Sequence, residues 1–190
     1  MQLRDGRIAS GSEDISIKIW ILENELQGCT LYEHDNNITC FIQLVDGRIA
    51  SGSDDNTIRI WNVMNGCGEC EWTLSEHTNK VKALIQLADE RLASGSWDKT
   101  IKIWNITNGS CERTLMGHSH YVQTLICLAD GKVASGSKDQ TIKIWNVVDG
   151  CCEGTLPGHR CSVDTLLQLA DGKVASRSMD NTIKIWKSIR

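Results

Sequence analysis

The sequence predicts an all-β protein assembled from repeated four-stranded units. Five segments that end in tryptophan have nearly the same sequence, and these tryptophans are 41 to 43 residues apart: Trp20, Trp61, Trp104, Trp145 and Trp186. Within each copy, β-branched residues alternate with small or polar ones, which is the period of a strand rather than of a helix. An internal period of this length is typical of a protein built from stacked structural repeats.

Each copy is predicted to hold four short strands, called a, b, c and d in chain order. Examples are QTLICL for a, KVASGS for b, TIKIW for c and CERTL for d. Asp-Gly pairs at 5–6, 46–47, 130–131 and 171–172 lie between apolar runs. They predict hairpin turns, because glycine adopts the positive φ that such turns require. A second turn is predicted around an aspartate that precedes each repeated tryptophan by six residues.

The composition is typical of a soluble globular protein rather than of a disordered or membrane-spanning one. Hydrophobic residues make up 41% and charged residues 23% of 190 residues, and no apolar run is long enough to cross a bilayer. The net charge of −4 argues against broad attraction to nucleic acid or to an anionic membrane. The first residues lack the apolar region of a secretion signal, so we expect free thiols and a cytoplasmic location, with the nucleus as the alternative.

The four-stranded unit of about 41 residues, with its fixed tryptophan and histidine, resembles the WD-repeat (WD40) β-propeller family across essentially the whole chain. The family's Trp-Asp pair is Trp-Asn at 61–62, 104–105 and 145–146, and its Gly-His pair is Glu-His at 33–34 and 76–77. The resemblance implies a β-propeller whose blades each contain a buried, hydrogen-bonded tetrad of Asp, His, Ser and Trp. The predicted tetrad residues are His34, Asp55, Trp61, His77, Asp98, Trp104, His118, Asp139, Trp145, His159, Asp180 and Trp186.

A recurring set of Asp, His and Ser also raises the question of a hydrolase triad. Four copies of the set argue for a structural role, since one catalytic cleft needs only one nucleophile, and no G-x-S-x-G elbow is present. Cys70, Cys111 and Cys152 occupy one repeat position on three different units, so they are not expected to share a metal. We therefore predict no enzyme activity, no cofactor and no metal.

The chain is predicted to be one domain, 1–190, with repeat units at about 1–33, 34–76, 77–117, 118–158 and 159–190. The first unit lacks most of strand a and the last lacks strand d, which leaves about four and a half blades. Three alternatives stay open. The chain could be part of a ring of seven or eight blades, as the family usually has; it could close as a small five-bladed ring; or a homo-oligomer could complete the ring.

The resemblance implies that partners dock on the face that carries the d–a and b–c loops. Three positions in each unit point there: the third and fifth residues after the repeated His, and the residue before the repeated Asp. They are Asn37, Thr39, Lys80, Lys82, Tyr121, Gln123, Ser162, Asp164, Glu13, Asp54, Trp97, Lys138 and Met179. These residues are called the variable loop set below.

The variable loop set differs from copy to copy, and Trp97 and Tyr121 are its strongest candidate anchors because exposed aromatic residues are typical of interfaces. Its mixed charge suits a protein or peptide better than a phosphate backbone. We expect a non-catalytic scaffold for protein–protein interaction. The alternative is a partial propeller that mainly self-associates or completes a larger ring.

Overall fold

The computed structural model describes residues 1–11, 14–21, 26–63 and 68–187, and these residues form strands and turns only. No helix in this part of the chain is long and apolar enough to span a membrane. The chain divides into two compact units, Met1–Leu84 and Ile85–Arg190. The prediction that residues 1–190 form a single domain of five repeats, with the repeat boundaries given above, stays a prediction.

The strands follow one another in short, regular steps along the described residues. They are β1 Ile8–Gly11, β2 Ile17–Ile21, β3 Leu26–Leu31, β4 Ile38–Gln43, β5 Ile49–Ser53, β6 Ile58–Asn62, β7 Glu69–Leu74, β8 Val81–Gln86, β9 Leu92–Ser96, β10 Ile101–Asn105, β11 Ser110–Leu115, β12 Val122–Cys127, β13 Val133–Ser137, β14 Thr141–Asn146, β15 Cys151–Pro157, β16 Val163–Gln168, β17 Val174–Ser178 and β18 Ile183–Trp186. They build sheets in the orders β1-β2-β3, β4-β5-β6-β7, β8-β9-β10-β11, β12-β13-β14-β15 and β16-β17-β18.

Sequential strands pair as antiparallel neighbours, so each full sheet has the predicted order a, b, c, d. The prediction of four-stranded antiparallel units is confirmed. As expected from the repeat arithmetic, the first sheet has strands b, c and d, with a single bridge between Gln2 and Ile8 in place of strand a. The sheet β16-β17-β18 has strands a, b and c within the described residues.

Both predicted turns are present. Gly47 has φ 93° and donates its backbone N–H to Leu44, as the Asp-Gly hairpin requires. The second turn places the residue after each repeated aspartate in the left-handed region, for example Asn56 at φ 73°. Ile15 takes this position in the first copy at φ 71°, although a β-branched side chain disfavours that conformation.

The middle glycine of the Ser-Gly-Ser segment lets one sheet pack closely on the next within each unit. In the first unit, a β-carbon on Gly52 would lie 2.7 Å from Val81 Cγ1; in the second, one on Gly136 would lie 2.8 Å from Val163 Cγ1. Such distances are shorter than carbon atoms tolerate, so only glycine fits without displacement. The copy in 159–190 has Arg177 at this position, and its side chain is exposed.

The strand-c isoleucines form the apolar layers beside these contacts. Ile17 and Ile19 pack with Ile49 and Trp61 in the first unit, and all four are buried. Ile142 and Ile144 pack with Val163 and Leu166 in the second. In these copies the alternation along strand c therefore places isoleucine in the core on one face of the strand, as the sequence period predicted.

Candidate functional site

Three of the predicted tetrads are fully described, and they have the same geometry. In the fourth copy, the Trp145 indole Nε1–H donates to Ser135 Oγ at 2.8 Å, and Ser135 Oγ lies 2.7 Å from His118 Nε2. His118 Nδ1 lies 2.7 Å from Asp139 Oδ2. The same chain links Trp61, Ser51, His34 and Asp55, and links Trp186, Ser176, His159 and Asp180.

One proton assignment satisfies the whole chain in the fourth copy. The indole donates to the serine oxygen, the serine O–H donates to Nε2 of a neutral imidazole, and Nδ1–H donates to the carboxylate. The second oxygen of Asp139 accepts from the backbone N–H and the hydroxyl of Thr141. Each buried polar group thereby has a partner, which explains why such polar residues are tolerated in the interior.

The aspartates of these tetrads carry shifted acidities. Burial raises the pKa of Asp139, but hydrogen bonds from His118 and Thr141 outweigh it and hold that pKa well below its ordinary value. Burial acts in the same sense on Asp55, and hydrogen bonds from His34 and Thr57 again hold its pKa low. The charged carboxylate is therefore the form that the folded structure stabilises.

The first and third copies show related contacts. Trp20 Nε1 donates to Ser10 Oγ, and Trp104 Nε1 donates to Ser94 Oγ. Asp98 Oδ1 accepts from the hydroxyl of Thr100, and His77 is buried.

The hydrolase alternative fits this geometry poorly. Ser51, Ser135 and Ser176 have almost no solvent exposure, and each hydroxyl oxygen already accepts an indole N–H. A nucleophile needs access to its substrate, which these serines lack. The Asp-His-Ser sets instead form buried hydrogen-bond networks within the sheets.

One position of the variable loop set, the fifth residue after the histidine, lies in a β-bulge at the start of strand a in three sheets. The pairing of strand a with strand b shifts between Ile38 and Cys40, between Val122 and Thr124, and between Val163 and Thr165. The bulged residues are Thr39, Gln123 and Asp164, which are the predicted fifth residues after the histidine. Bulges commonly redirect a side chain next to a binding site.

A backbone hydrogen bond then joins two other predicted positions within a sheet. The N–H of the residue before the repeated aspartate donates to the carbonyl of the third residue after the histidine. The described pairs are Asp54 with Asn37, Lys138 with Tyr121, and Met179 with Ser162, at 2.9 to 3.0 Å. These two predicted positions are therefore neighbours in each of these sheets.

In the first unit, this set forms a charged group. Lys80 Nζ lies 2.6 Å from Asp54 Oδ2, and the Thr39 hydroxyl donates to the Gly52 carbonyl at 3.0 Å and to the Val81 carbonyl. Lys82 is partly exposed. Glu13 was predicted to belong to the same face, and it lies outside the described residues.

In the second unit, the set forms an aromatic cluster, which we define as Trp97, His120, Tyr121, Gln123 and Lys138. The rings of Trp97 and Tyr121 stack at a centroid distance of 4.6 Å with 5° between their planes. Trp97 Nε1 donates to Gln123 Oε1 at 2.9 Å, and Lys138 Nζ lies 5.4 Å from the Tyr121 ring centroid. Trp97, Tyr121 and Gln123 are partly exposed, and Lys138 is exposed.

His120 is not among the predicted site residues, and it belongs to this cluster. Its ring meets the Tyr121 ring edge-on at a centroid distance of 4.2 Å, and its Nδ1 accepts the backbone N–H of Tyr121. The signal in the sequence is its place next to the predicted anchor.

The remaining members in the second unit differ from one another in exposure. Met179 is 65% exposed, whereas Ser162 is only 5% exposed and Asp164 is half-buried. The expectation of an open position at 162 is corrected, because this residue directly precedes the buried Val163 at the start of β16.

The cysteines give no sign of a shared site. The eight described cysteines are free. Cys67, which forms a C-x-x-C sequence with Cys70, lies outside the described residues. No group of three His, Cys, Asp or Glu side chains is arranged to hold a metal ion among the residues that the structure covers.

Comparisons with known proteins agree with this architecture. Residues 26–62, 68–105, 109–146 and 150–187, which are more than half of the chain, match the family model described as "WD domain, G-beta repeat". Many solved structures are similar. One is the crystal structure of the WD40 β-propeller domain of Doa1, with a TM-score of 0.83 and 25% sequence identity.

That alignment covers 98% of this chain and 62% of the Doa1 chain, so the present chain spans less than two thirds of its length. No curated protein matches the chain. The predicted fold class, a β-propeller architecture of antiparallel four-stranded units, is confirmed. The four consecutive repeat matches and the shared fold show that this chain belongs to the WD-repeat (WD40) family.

Proposed function

We propose that this chain is a non-catalytic interaction module that binds a peptide segment of a protein partner through its aromatic cluster. WD40 propellers generally mediate protein–protein interaction, and they are typically scaffolds without catalytic activity. The finer proposal concerns the place of binding and the kind of partner.

The stacked pair of Trp97 and Tyr121 is the observation that carries the proposal. A stacked pair of large rings presents a rigid apolar surface. Because the two rings are already ordered in the free chain, binding a partner costs little conformational entropy. Both rings keep part of their surface open to solvent, and the hydrogen bond to Gln123 fixes the indole. Ordered, partly exposed aromatic residues often contribute a large share of the binding free energy at protein interfaces.

The charges around the cluster favour a peptide over a nucleic acid. Lys138 is the cation of the cluster, and Asp164 in the next sheet is an anion. A surface with both signs lacks the row of cations that phosphate backbones require, whereas it can match a mixed peptide.

Capture of interacting proteins by the purified chain tests the proposal. We expect Trp97→Ala and Tyr121→Ala to fold normally and to reduce capture of a specific partner by about tenfold or more. Trp72, on β7, is also exposed, so Trp72→Ala is the matched control and should keep the partner. Equal loss in all three variants would contradict the assignment.

A second candidate function, self-association or completion of a larger ring, is favoured by β18. Ile183 and Ile185 are 72% and 55% exposed, whereas their counterparts Ile142 and Ile144 on β14 are buried. Exposed apolar strand faces promote association. The solution mass, measured by light scattering during size exclusion, should be that of a discrete oligomer if this candidate is correct. A monomer of 21.1 kDa would exclude self-association.

The proposed location is the cytoplasm, with the nucleus as the alternative. The support is the expectation that the cysteines are free thiols, which suits a reducing compartment. Imaging of the tagged full-length protein in its own cells tests it.

A further inference from the structure

We propose that His120 and Lys138 form a subsite for an acidic side chain, aspartate or glutamate, of the bound peptide. This inference rests on the proposed function, because it names the chemistry of one residue that the interaction module would select. Both side chains belong to the aromatic cluster, and both lie against the ring of Tyr121.

Two hydrogen bonds hold the backbones of these residues side by side. The Lys138 backbone N–H donates to the Tyr121 carbonyl at 2.9 Å, and the Ser137 hydroxyl donates to the His120 carbonyl at 3.1 Å. Lys138 lies in the turn between β13 and β14, and His120 lies in the loop before β12. The subsite is therefore built on two loops that are fixed to each other.

The other copies show that the backbone does not need a histidine at this position. The equivalents of His120, two residues after the repeated histidine, are Asn36 and Asn79. In each, the side-chain oxygen accepts the backbone N–H of the following residue at 2.8 Å. His120 makes the same bond through Nδ1, also at 2.8 Å. What histidine adds to the local structure is therefore its ring and a second nitrogen.

That second nitrogen is a donor that faces solvent. Since Nδ1 of His120 accepts an N–H, the ring carries its proton on Nε2. Nε2 has no hydrogen-bond partner among the described residues and is not one of their buried polar atoms, so it is accessible to solvent. The ring as a whole is partly exposed. Its N–H is therefore available to a ligand.

Lys138 supplies the charge of the subsite. Its side chain is exposed, and its Nζ lies over the Tyr121 ring without an ion pair in the described part of the chain. The carboxylate next to it in sequence, Asp139, is nearly buried and already accepts from His118 and Thr141. The ammonium group therefore remains open to a carboxylate from another molecule.

The chemistry of these donors selects an anion. An ammonium group and an imidazole N–H both donate, and the strongest acceptor among protein side chains is an ionised carboxylate. Because a carboxylate has two oxygens, one that binds beside the Tyr121 ring can accept from both donors. Neighbouring residues of the peptide can then pack on the stacked rings, and the charge pair adds selectivity to this apolar contact.

The test uses blocked tripeptides in an NMR titration of the full chain labelled with ¹⁵N. The probes are acetyl-Gly-Glu-Gly-amide and its glutamine analogue, which has nearly the same shape without the charge. We expect the glutamate probe to shift the amide signals of 120, 121 and 138 in a saturable way, and to bind about threefold or more tightly than the glutamine probe. Equal binding of the two probes would overturn the proposal.

Two variants remove the donors and preserve the local fold. His120→Asn keeps an acceptor for the Tyr121 backbone N–H, as Asn36 shows, but lacks the ring N–H. Lys138→Met keeps the aliphatic stem and loses the charge, and methionine holds the equivalent position at 179. Each should weaken binding of the glutamate probe by about threefold or more. Lys173→Met removes the same charge from an exposed lysine at the opposite turns and should leave binding unchanged.

An equal loss in Lys173→Met would contradict the subsite, because it would show a general attraction of anions to the chain. A clear loss of stability in His120→Asn would also refute it, since the fold itself would then need the histidine. The probes carry no aromatic anchor, so Trp97→Ala should still bind them. Failure of the glutamate probe with intact partner capture removes the subsite only. Binding of that probe without any effect of Trp97→Ala on capture removes the proposed function only.

Discussion

The indole of Trp97 and the ring of Tyr121 lie parallel with their centroids 4.6 Å apart, although they are 24 positions apart in the sequence. The two side chains come from a b–c turn and from the start of the following strand a. Their contact arises because the repeat brings these two loops together in three dimensions. Two of the positions that differ from copy to copy, Trp97 and Tyr121, thereby become neighbours.

The stack should have a measurable energy of its own. In a double-mutant cycle of Trp97→Ala and Tyr121→Ala, we expect a coupling of about 0.5 to 1.5 kcal/mol in the free energy of unfolding, the usual value for an aromatic pair. Denaturant unfolding of the four proteins measures it. Strictly additive losses would show that the two rings do not support each other in solution.

The tetrad aspartates predict a loss of stability in acid. Asp139 has a folded-state pKa below that of an unfolded aspartate, so its contribution is complete above the unfolded value and is lost as the pH falls below about 4. Asp55 behaves in the same way. The free energy of unfolding, measured between about pH 7 and pH 3, should fall less steeply in Asp139→Asn than in the native chain, after allowance for its lower starting value. Identical slopes would refute the link.

The left-handed residue Ile15 predicts a gain of stability by substitution. Asparagine tolerates this conformation and isoleucine does not, so Ile15→Asn should raise the free energy of unfolding by about 1 kcal/mol. The reverse change at the matching turn, Asn56→Ile, should lower it by a similar amount. Thermal unfolding compares the two, and a stabilising Asn56→Ile would be inconsistent with the turn geometry.

The close contact at Gly136 predicts a compensating pair. Gly136→Ala should cost about 1 to 3 kcal/mol, because the new methyl group meets Val163 and Thr124 at 2.8 Å. Val163→Ala is destabilising by itself, since it empties a buried site. The double variant should be more stable than the sum of the two losses predicts, and a fully additive double variant would argue against this packing.

Much of the fold could be predicted from the sequence because the same weak strand pattern recurs in every repeat. A single TIKIW segment could be a strand in many folds, but five copies at one period, with His and Asp at fixed offsets, restrict the architecture to stacked four-stranded units. The tetrad around Trp145 was expected from the resemblance to the WD-repeat family, and its hydrogen bonds give each buried polar group a partner.

The details of the loops could not be predicted in this way. The burial of Ser162 depends on how β16 begins, and the place of Lys138 depends on the rotamer of a long side chain. The turn at Glu90 has φ 68° without a glycine, so the Asp-Gly rule missed it. Repetition in sequence predicts what the copies share, whereas the candidate site is made of the positions in which they differ.

The central claim is that a partner binds at the aromatic cluster, and NMR mapping of the bound partner peptide tests it most directly. The Trp97 indole N–H, which donates to Gln123 in the free chain, reports on this surface. The account predicts that the peptide shifts this signal together with the amides of Tyr121 and Lys138. Shifts confined to the opposite turns, such as those at Asp130 and Asp171, with an unchanged Trp97 signal would contradict it.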